Sequence, residues 1–306
     1  MLPEQSLNVS SLDSATAVFL GSRSRLFGIA YRMLGTVAEA EDVVQETWLR
    51  WQTTDRSVVL EPVAYLVTVA TRIAINVLRS AHSRRETYIG PWLPEPVDTS
   101  ADPTLGAERG EALELAVLML LEKLRPAERA AYVLHEAFEY THRQIATVLD
   151  MTESNVRQMV TRARKHIAGE RKAPVERAEQ ERLLRAFLIA ARQGEVGALE
   201  ELLGAEAVSI SDGGGAVRAA LVPVRSRMKV AKFIASFASH WWEGATVTWV
   251  EANGSVAAMV TREGRIVAVV SAEVSGGEIG QLMWVLNPAK LASFSSGIAT
   301  GPAVSQ

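Results

Sequence analysis

The segment Tyr140–Ile167 carries side chains whose chemistry suits the edges of DNA bases and the phosphate backbone. Arg, Asn and Gln form bidentate hydrogen bonds with bases in the major groove, and other cations contact phosphates. The alternative is an ordinary helical hairpin with a solvated basic face. The candidate DNA-binding residues of this segment are Asn155, Arg157, Gln158, Arg162, Arg164 and Lys165.

Two short helices are predicted to position these side chains. Thr141 is a suitable N-cap for the first helix, and Gln144 completes the spacing of a capping box. The break falls at Asp150-Met151, since Asp tolerates a left-handed backbone better than most residues. Thr152 then caps a second helix, whose apolar positions recur at helical spacing. This layout is typical of a helix-turn-helix, in which the second helix enters the major groove.

A second group of helices lies nearer the N-terminus, after a loose tail expected over residues 1–14. The pattern Val37–Gln52 has an apolar stripe through Val44, Trp48 and Trp51, with acids on its other face. A looser stretch at Thr53–Glu61 leads to a helix over Val63–Arg85 that ends in a basic cluster. The candidate DNA contacts on that helix are Arg72, Asn76 and Arg79.

Composition limits the function classes that remain. The chain has 306 residues, 48% of them apolar, a net charge of −3 and a pI of about 6.0. DNA contact therefore has to come from local basic patches rather than from overall charge. Cysteine is absent, which excludes disulfides, thiol catalysis and cysteine-based zinc sites, and we expect no metal or cofactor. We find no signal peptide and no apolar run near 18 residues, so we expect a cytoplasmic protein without membrane contact.

Changes in composition along the chain predict a multidomain protein. Proline-rich and charged stretches separate two all-α domains from a C-terminal α+β domain, which is predicted as helix, strand, helix and an antiparallel meander. The predicted divisions are an all-α domain at 15–89, a proline-rich linker at 90–104, a second all-α domain at 105–168, a linker at 169–175, the α+β domain at 176–294 and a disordered tail at 295–306.

The C-terminal domain raises the question of catalysis. After the second linker, Asp212 is the only Asp and His240 the only His, and such a pair could do acid–base work in a pocket. The plainer interpretation is a turn Asp and a His at a helix end, and we favour a domain that is not an enzyme. Several tryptophans could line a cavity, so the domain could hold a small ligand. These are Trp241, Trp242, Trp249 and Trp284.

Several motifs in order resemble a known family. DVVQETWLRW at Asp42–Trp51 resembles region two, and Leu124–Lys165 resembles region four, of bacterial sigma-70-type factors. Two such domains on a short linker are similar to the extracytoplasmic-function (ECF) sigma factors. GPWLPEPV, DGGG at Asp212–Gly215 and NPAKL at Asn287–Leu291 resemble a subgroup with a fused SnoaL-like domain.

The resemblance implies a fold and partners. It implies two all-α sigma domains, the second with the helix-turn-helix, and a cone-shaped α+β SnoaL-like domain with a curved antiparallel sheet. Region two would bind the β′ clamp helices of core RNA polymerase and melt the −10 element, and region four would bind the β flap and the −35 element. The implied polymerase-binding residues are Asp42, Gln45, Glu46 and Trp48.

The favoured function is a sigma factor that recruits core RNA polymerase to specific promoters and is regulated in cis by its C-terminal domain. The alternative is a one-component DNA-binding regulator with a ligand-binding or enzymatic tail. We expect the apolar linker residues to pack against the C-terminal domain, with local packing within the linker as the alternative, and Lys290 to be an exposed cation. The expected regulatory residues are Trp92, Leu93, Pro94, Asp212, Gly213, Gly214, Asn287, Pro288 and Lys290.

Overall fold

Helices form the first half of the chain, and a six-stranded sheet with flanking helices forms the second. The computed structural model describes residues 4–99, 114–170 and 175–297. The helices are α1 Glu4–Leu34, α2 Val37–Thr53, α3 Pro62–Glu86, α4 Leu115–Leu121, α5 Pro126–Glu136, α6 His142–Leu149, α7 Glu153–Glu170, α8 Arg177–Gln193, α9 Val196–Leu202, α10 Arg227–Ala235 and α11 Pro288–Gly297. The strands are β1 Leu203–Asp212, β2 Val224–Arg225, β3 Ala245–Ala252, β4 Ser255–Arg262, β5 Arg265–Ser275 and β6 Glu278–Val285.

The described residues divide into two compact units. Residues 4–83 and 120–167 form a helical unit, and residues 84–99, 114–119, 168–170 and 175–297 form a sheet unit. The proline-rich linker therefore lies with the sheet unit over its described part. Residues 114–119, which the sequence placed in the second helical domain, also lie there, because Leu115 packs in a core cluster with residues of the sheet.

The helical unit is built from amphipathic helices that bury one face. Leu26 and Ile29 of α1 are buried, as are Val43 and Val44 of α2. Gly35 has a φ of 75° and its N–H donates to the Tyr31 carbonyl, so it ends α1 in a conformation that suits glycine. The predicted loose tail over residues 1–14 was wrong for most of its length, because α1 already begins at Glu4. Between Pro3 and Gly21 no residue breaks a helix.

The long helix α3 has an apolar segment that the sequence analysis had overlooked. Pro62–Ser80 meets the length and composition of a membrane-crossing helix, and it does so alone among the described helices. Within this segment Leu66, Val67 and Ala70 are fully buried in the protein. The core helix of a water-soluble domain meets the same criteria, so the segment fits a place in the core.

The sheet has the strand order β2-β1-β6-β5-β4-β3. Strands β3 to β6 form the predicted antiparallel meander. Strand β1 joins the meander as a parallel neighbour of β6, with Asp212 beside Val285, and the two-residue β2 pairs with β1. The sequence predicted neither of these two pairings. Parallel neighbours come from distant parts of the chain and leave no local turn signal.

Tight turns of the predicted kind connect the meander. Asn253 and Gly254 have φ values of 55° and 75°, and Glu263 and Gly264 have φ values of 50° and 73°. Two consecutive residues with positive φ are typical of type I′ hairpins, whose twist matches that of the strands. These turns fix the register of the sheet, which decides which side chains reach each face.

Each face of the sheet has its own apolar core. On one face, Phe187 of α8, Leu199 of α9 and Val230 of α10 pack in a cluster with Trp284. A second cluster combines Leu93 of the linker, Leu115 of α4 and Phe294 of α11 with side chains of the sheet. The linker is thus part of the core of the sheet unit over its described part.

Several predicted boundaries shift at the ends of elements. Helix α7 continues through Glu170 into the predicted second linker, and 171–174 lie outside the described residues. Helix α11 extends to Gly297, into the predicted disordered tail, and 298–306 lie outside the described residues. Of the second all-α domain, 105–113 also lie outside them.

Candidate functional site

The helix-turn-helix has the caps that its sequence predicted. Thr141 and Gln144 form a reciprocal capping box at the start of α6. Asp150 ends α6 in the left-handed region with a φ of 55°. Thr152 then caps α7, because its Oγ1 accepts a hydrogen bond of 3.3 Å from the Asn155 N–H. These local bonds fix where α6 begins and ends and where α7 begins.

Helix α7 separates an apolar face from a polar one. Val156, Met159, Val160 and Ala163 are buried in the helical unit. All the candidate DNA-binding side chains of this helix are exposed, as contact with a DNA groove requires. They are Asn155, Arg157, Gln158, Arg162, Arg164 and Lys165.

Ion pairs hold the arginines of α7 in place. Arg157 bonds to Glu153 one turn earlier at 2.9 Å. Two further pairs join α7 to α5: Arg164 bonds to Glu136 at 2.6 Å, and Arg162 bonds to Glu128 at 3.0 Å. Exposed pairs of this kind contribute roughly 0–1 kcal/mol each. A phosphate group can therefore replace the carboxylate at small cost.

The predicted contacts on α3 also lie at the surface. Arg72, Asn76 and Arg79 are exposed, and their spacing places them on one face of the helix. Arg72 is already engaged inside the helical unit, since its Nε donates a 3.0 Å hydrogen bond to the Val148 carbonyl of α6. The Arg72 Nε can therefore donate to DNA only after its hydrogen bond with the Val148 carbonyl breaks.

The predicted polymerase-binding residues lie along α2. Asp42 and Gln45 are exposed, whereas Glu46 is half-buried and pairs with Arg50 at 2.8 Å. Trp48 is half-buried against Phe19 of α1, with ring centroids 4.7 Å apart. The acidic face of α2 is thus open to a partner, and the tryptophan contributes partly to the core.

The sequence missed two buried cations in the helical unit, Arg32 and Arg129. Arg129 of α5 is 1% exposed and donates from Nε and Nη2 to the Arg32 carbonyl at 3.2 and 3.1 Å. Its third nitrogen pairs with Glu122. Burial lowers the pKa of Arg129 to about 9, which leaves the guanidinium charged at neutral pH. The sequence did contain a signal for this burial, because Arg129 lies on the apolar face of a predicted helix.

In the sheet unit, the expected regulatory residues meet at one buried carboxylate. Asp212 is fully buried, and its oxygens accept bonds from Lys290 Nζ at 2.7 Å and the Leu93 N–H at 2.8 Å. The Tyr88 hydroxyl donates a third bond at 2.6 Å. Burial, together with the Asp212 carboxylate, raises the pKa of Tyr88 well above its usual range. Tyr88 was not predicted, although it lies two residues before the linker motif.

Lys290 completes this site, and the expectation of an exposed cation was wrong. Its side chain is buried, because Asp212 neutralises the ammonium group and the Leu93 carbonyl accepts another of its hydrogens. The ammonium lies 4.3 Å from the ring centre of Trp92 and 5.2 Å from that of Tyr88, in the range of cation–π contacts. We call Tyr88, Trp92, Leu93, Asp212, Asn287 and Lys290 the linker anchor.

The remaining regulatory candidates surround the linker anchor. Asn287 donates to the Tyr88 hydroxyl at 2.8 Å. Gly214 has a φ of 58°, and a Cβ there would lie 2.2 Å from the Asn287 amide nitrogen, so only glycine fits. A Cβ on Gly213 would lie 2.6 Å from the Val217 carbonyl. Pro94 is buried beside Leu93, and Pro288 is the first residue of α11.

The far end of the linker also contacts the sheet. Asp98 forms an isolated antiparallel bridge with Ala252, and the Asn253 N–H donates to the Val97 carbonyl at 2.9 Å. Thr99 donates from its hydroxyl to Glu251 at 2.8 Å. The linker thus covers the C-terminal end of the outer edge of β3, a position that would otherwise expose unpaired backbone groups.

The hypothetical catalytic pair is not assembled. The Asp212 carboxylate serves the linker anchor, whereas His240 lies at the rim of a cavity to which Asp212 does not contribute. Trp241, Trp242 and Trp284 line that cavity as anticipated, but Trp249 does not and lies under Arg185 instead. Among the described residues, no group of three His, Asp or Glu side chains could hold a metal ion.

Comparisons with known proteins agree with this geometry. Residues 19–84 match the model of Sigma-70 region 2, and residues 114–167 match that of Sigma-70, region 4. The ECF RNA polymerase sigma factor SigJ of Mycobacterium tuberculosis is 38% identical over 232 residues, which cover 74% of each chain. The probable ECF RNA polymerase sigma factor SigI of the same species is 30% identical over 92% of this chain and 97% of its own.

A solved structure extends the similarity to all the domains. The crystal structure of M. tuberculosis SigJ superposes with a TM-score of 0.71 at 30% identity, over 93% of this chain and 98% of the other. This similarity confirms the predicted architecture of two helical sigma domains followed by an α+β SnoaL-like domain. From the matched sigma-70 regions and from the extent of these similarities, the chain belongs to the ECF RNA polymerase sigma factors.

Proposed function

We propose that this sigma factor, which recruits core RNA polymerase to specific promoters, is regulated in cis by its C-terminal domain through the linker. The observation that carries the proposal is the linker anchor. Two residues of the C-terminal domain bond to the backbone of Leu93, Asp212 at its N–H and Lys290 at its carbonyl. A linker held in this way has far fewer conformations than a free chain of the same length.

The linker joins the two sigma domains, so its conformation limits where they can lie. Region two and region four have to contact promoter elements and polymerase at the same time, and the linker sets their permitted separation. Holding the linker on the C-terminal domain would restrict that separation. Release of the linker would then permit the arrangement that transcription needs.

We assign the contacts with DNA and polymerase as follows. Helix α7 contacts the −35 element, with Arg157 and Gln158 at base edges and Arg164 and Lys165 at phosphates. Helix α3 contacts the −10 element, and α2 binds the β′ clamp helices, while region four binds the β flap. The proposed contacts of α3 are Arg72, Asn76 and Arg79, and those of α2 are Asp42, Gln45, Glu46 and Trp48.

The sigma family is not enzymatic, and we infer that the C-terminal domain also works by binding rather than by catalysis. The support is the engagement of its single Asp. Three donors bond to Asp212, from Tyr88, Leu93 and Lys290, so its carboxylate is committed to the linker anchor rather than to a substrate. We infer a cytoplasmic location, as polymerase recruitment requires.

The test of cis regulation is run-off transcription with core RNA polymerase. Full-length protein is compared with the Lys290→Met variant, the Trp92→Ala variant and a deletion from Asn287, at matched folded concentrations. Lys232→Met, which alters an exposed lysine of α10, is the control. We expect the three anchor variants to raise transcription and the control to leave it unchanged. Equal activity in all the proteins would refute cis regulation through the linker.

A further inference from the structure

The sheet unit contains a cavity that the proposed function does not use. Its volume is about 390 Å³, within the range of pockets for small ligands. It lies between α10, the turns that follow that helix, and the end of the sheet. Its walls are mainly aromatic, with Phe233, Phe237, Trp241, Trp242 and Trp284 among the lining side chains.

The tryptophan rings that line the cavity contact one another edge to face. The rings of Trp241 and Trp242 lie 4.5 Å apart at 85°, and those of Trp241 and Trp284 lie 5.8 Å apart at 86°. Rings fixed in this way offer flat apolar walls at little further cost in conformational entropy. Such walls favour a flat apolar ligand, of which an aromatic ring system is the simplest case.

The polar groups at the cavity define the other end of the ligand. Trp284 is 6% exposed, and its indole N–H has no hydrogen-bond partner among the described residues. Leaving a buried donor unpaired costs free energy, which an acceptor on a ligand would recover. Arg218 and His240 also line the cavity, whereas none of its described lining residues is acidic. Hydrogen-bond donors and a cation without an opposing acid favour an anionic acceptor.

The cavity shares its strand ends with the linker anchor. Ser211 lines the cavity, and the next residue of β1 is Asp212 of the anchor. Leu286 lines the cavity, its N–H donates to the Asp212 carbonyl at 2.8 Å, and the next residue is Asn287 of the anchor. A movement of either strand end would therefore change both sites.

We propose that this cavity binds a small aromatic carboxylate and that its occupancy stabilises the linker anchor. The aromatic body packs against the tryptophan rings that line the cavity, and the carboxylate accepts from the Trp284 N–H and pairs with Arg218. A ligand packed against Ser211 and Leu286 restrains the two strand ends, and so holds the Asp212 carboxylate and Asn287 in place. The regulatory part of this proposal rests on the proposed cis regulation, whereas binding itself does not.

Calorimetric titration of the full chain with 2-naphthoate tests the binding. The neutral 2-naphthamide and the cationic 2-naphthylmethylammonium are the comparison probes. We expect 2-naphthoate to bind more tightly than either. Absence of binding by all three would overturn the site, and preference for the cation would overturn the anionic class.

Substitutions locate the ligand in this cavity. Trp284→Phe keeps an aromatic side chain but removes the indole N–H, and Arg218→Gln removes the charge from an exposed position that does not support the core. We expect each to weaken 2-naphthoate binding about tenfold, which corresponds to the loss of one such hydrogen bond or ion pair. Arg225→Gln alters an exposed arginine outside the lining and should leave the affinity unchanged. Unchanged affinity in both cavity variants would overturn the assignment.

Hydrogen exchange at the Leu93 amide tests the coupling, because this N–H bonds to Asp212. We expect saturating 2-naphthoate to slow the exchange severalfold in the full chain, and Lys290→Met to accelerate it. Unchanged or faster exchange with ligand bound would overturn the coupling. This result is independent of transcription: if naphthoate slows exchange but the anchor variants do not alter run-off yield, the cavity proposal stands and cis regulation fails.

Discussion

The arginines of α7 and Lys290 of α11 all pair with carboxylates, but their surroundings are opposite. Arg157 and Arg164 are exposed, and so is Glu153, the partner of Arg157, whereas Glu136, the partner of Arg164, is half-buried. Lys290 and Asp212 are both buried, with exposures of 6% and 0%. In water an ion pair exchanges partners easily, whereas in a dry interior each charge depends on the other. Ion pairs between the same kinds of group are thus replaceable on α7, whereas the Asp212–Lys290 pair holds the linker on the sheet unit.

The largest expected effect is the loss of stability in Lys290→Met. The substitution leaves the Asp212 carboxylate buried without its cation, so the free energy of unfolding of the sheet unit should fall by about 3–5 kcal/mol. The double variant Asp212→Asn/Lys290→Met removes both charges and should recover part of this loss. Urea denaturation followed by tryptophan fluorescence measures the change, with Lys232→Met as the control. If Lys290→Met lowered the free energy of unfolding by less than Lys232→Met does, the buried Asp212 carboxylate would not depend on Lys290 for its stability.

A base-contacting arginine should have the next largest effect, on DNA rather than on stability. Arg157→Ala in the holoenzyme should reduce the preference for one position of the −35 element by about 1–3 kcal/mol. Lys165→Ala should instead weaken all promoters alike and flatten the salt dependence. The measurement is affinity across a panel of promoter variants at two salt concentrations. Unchanged −35 preference in Arg157→Ala would remove that residue from the recognition surface.

Removing a competing carboxylate should have a smaller effect of opposite sign. Glu136→Gln frees Arg164 from its pair, so promoter affinity should rise while the free energy of unfolding changes by less than about 1 kcal/mol. The matched control is Glu181→Gln, which breaks an exposed pair with Arg185 in the sheet unit. Lower promoter affinity in Glu136→Gln would mean that the pair positions Arg164 instead of competing with DNA.

The smallest effect concerns the half-buried Glu251 of β3. Its carboxylate accepts hydrogen bonds from Arg177 of α8 and from Thr99 of the linker. The bond from Arg177, followed by that from Thr99, lowers the pKa of Glu251 below its usual 4.5, although burial opposes them. Because the folded pKa is lower than the unfolded one, this stabilisation is present above pH 4.5 and is lost as pH falls through the folded value. Stability of Glu251→Gln should therefore fall less steeply than that of the parent below pH 4.5. Parallel pH curves would show that the pair contributes nothing.

Elements with local signals could be predicted from the sequence. The capping box at Thr141, the left-handed Asp150 and the Asn253-Gly254 hairpin depend on residues within a few positions of one another. The exposure of Arg157 also followed from helical spacing alone. The sequence missed Tyr88 and Arg129, whose partners lie 124 and 97 residues away along the chain. No local pattern encodes a partner at such a distance.

The sequence by itself determined the helices, the hairpins and the residues available for DNA, because backbone conformation and amphipathic spacing are local properties. Only the tertiary structure decided that Lys290 is buried, that β1 lies beside β6, and that the linker completes a core of the sheet unit. A lysine becomes buried only where a carboxylate, a carbonyl and aromatic faces converge from separate segments. That convergence is a property of the folded chain, in which Tyr88, Asp212 and Lys290 become neighbours.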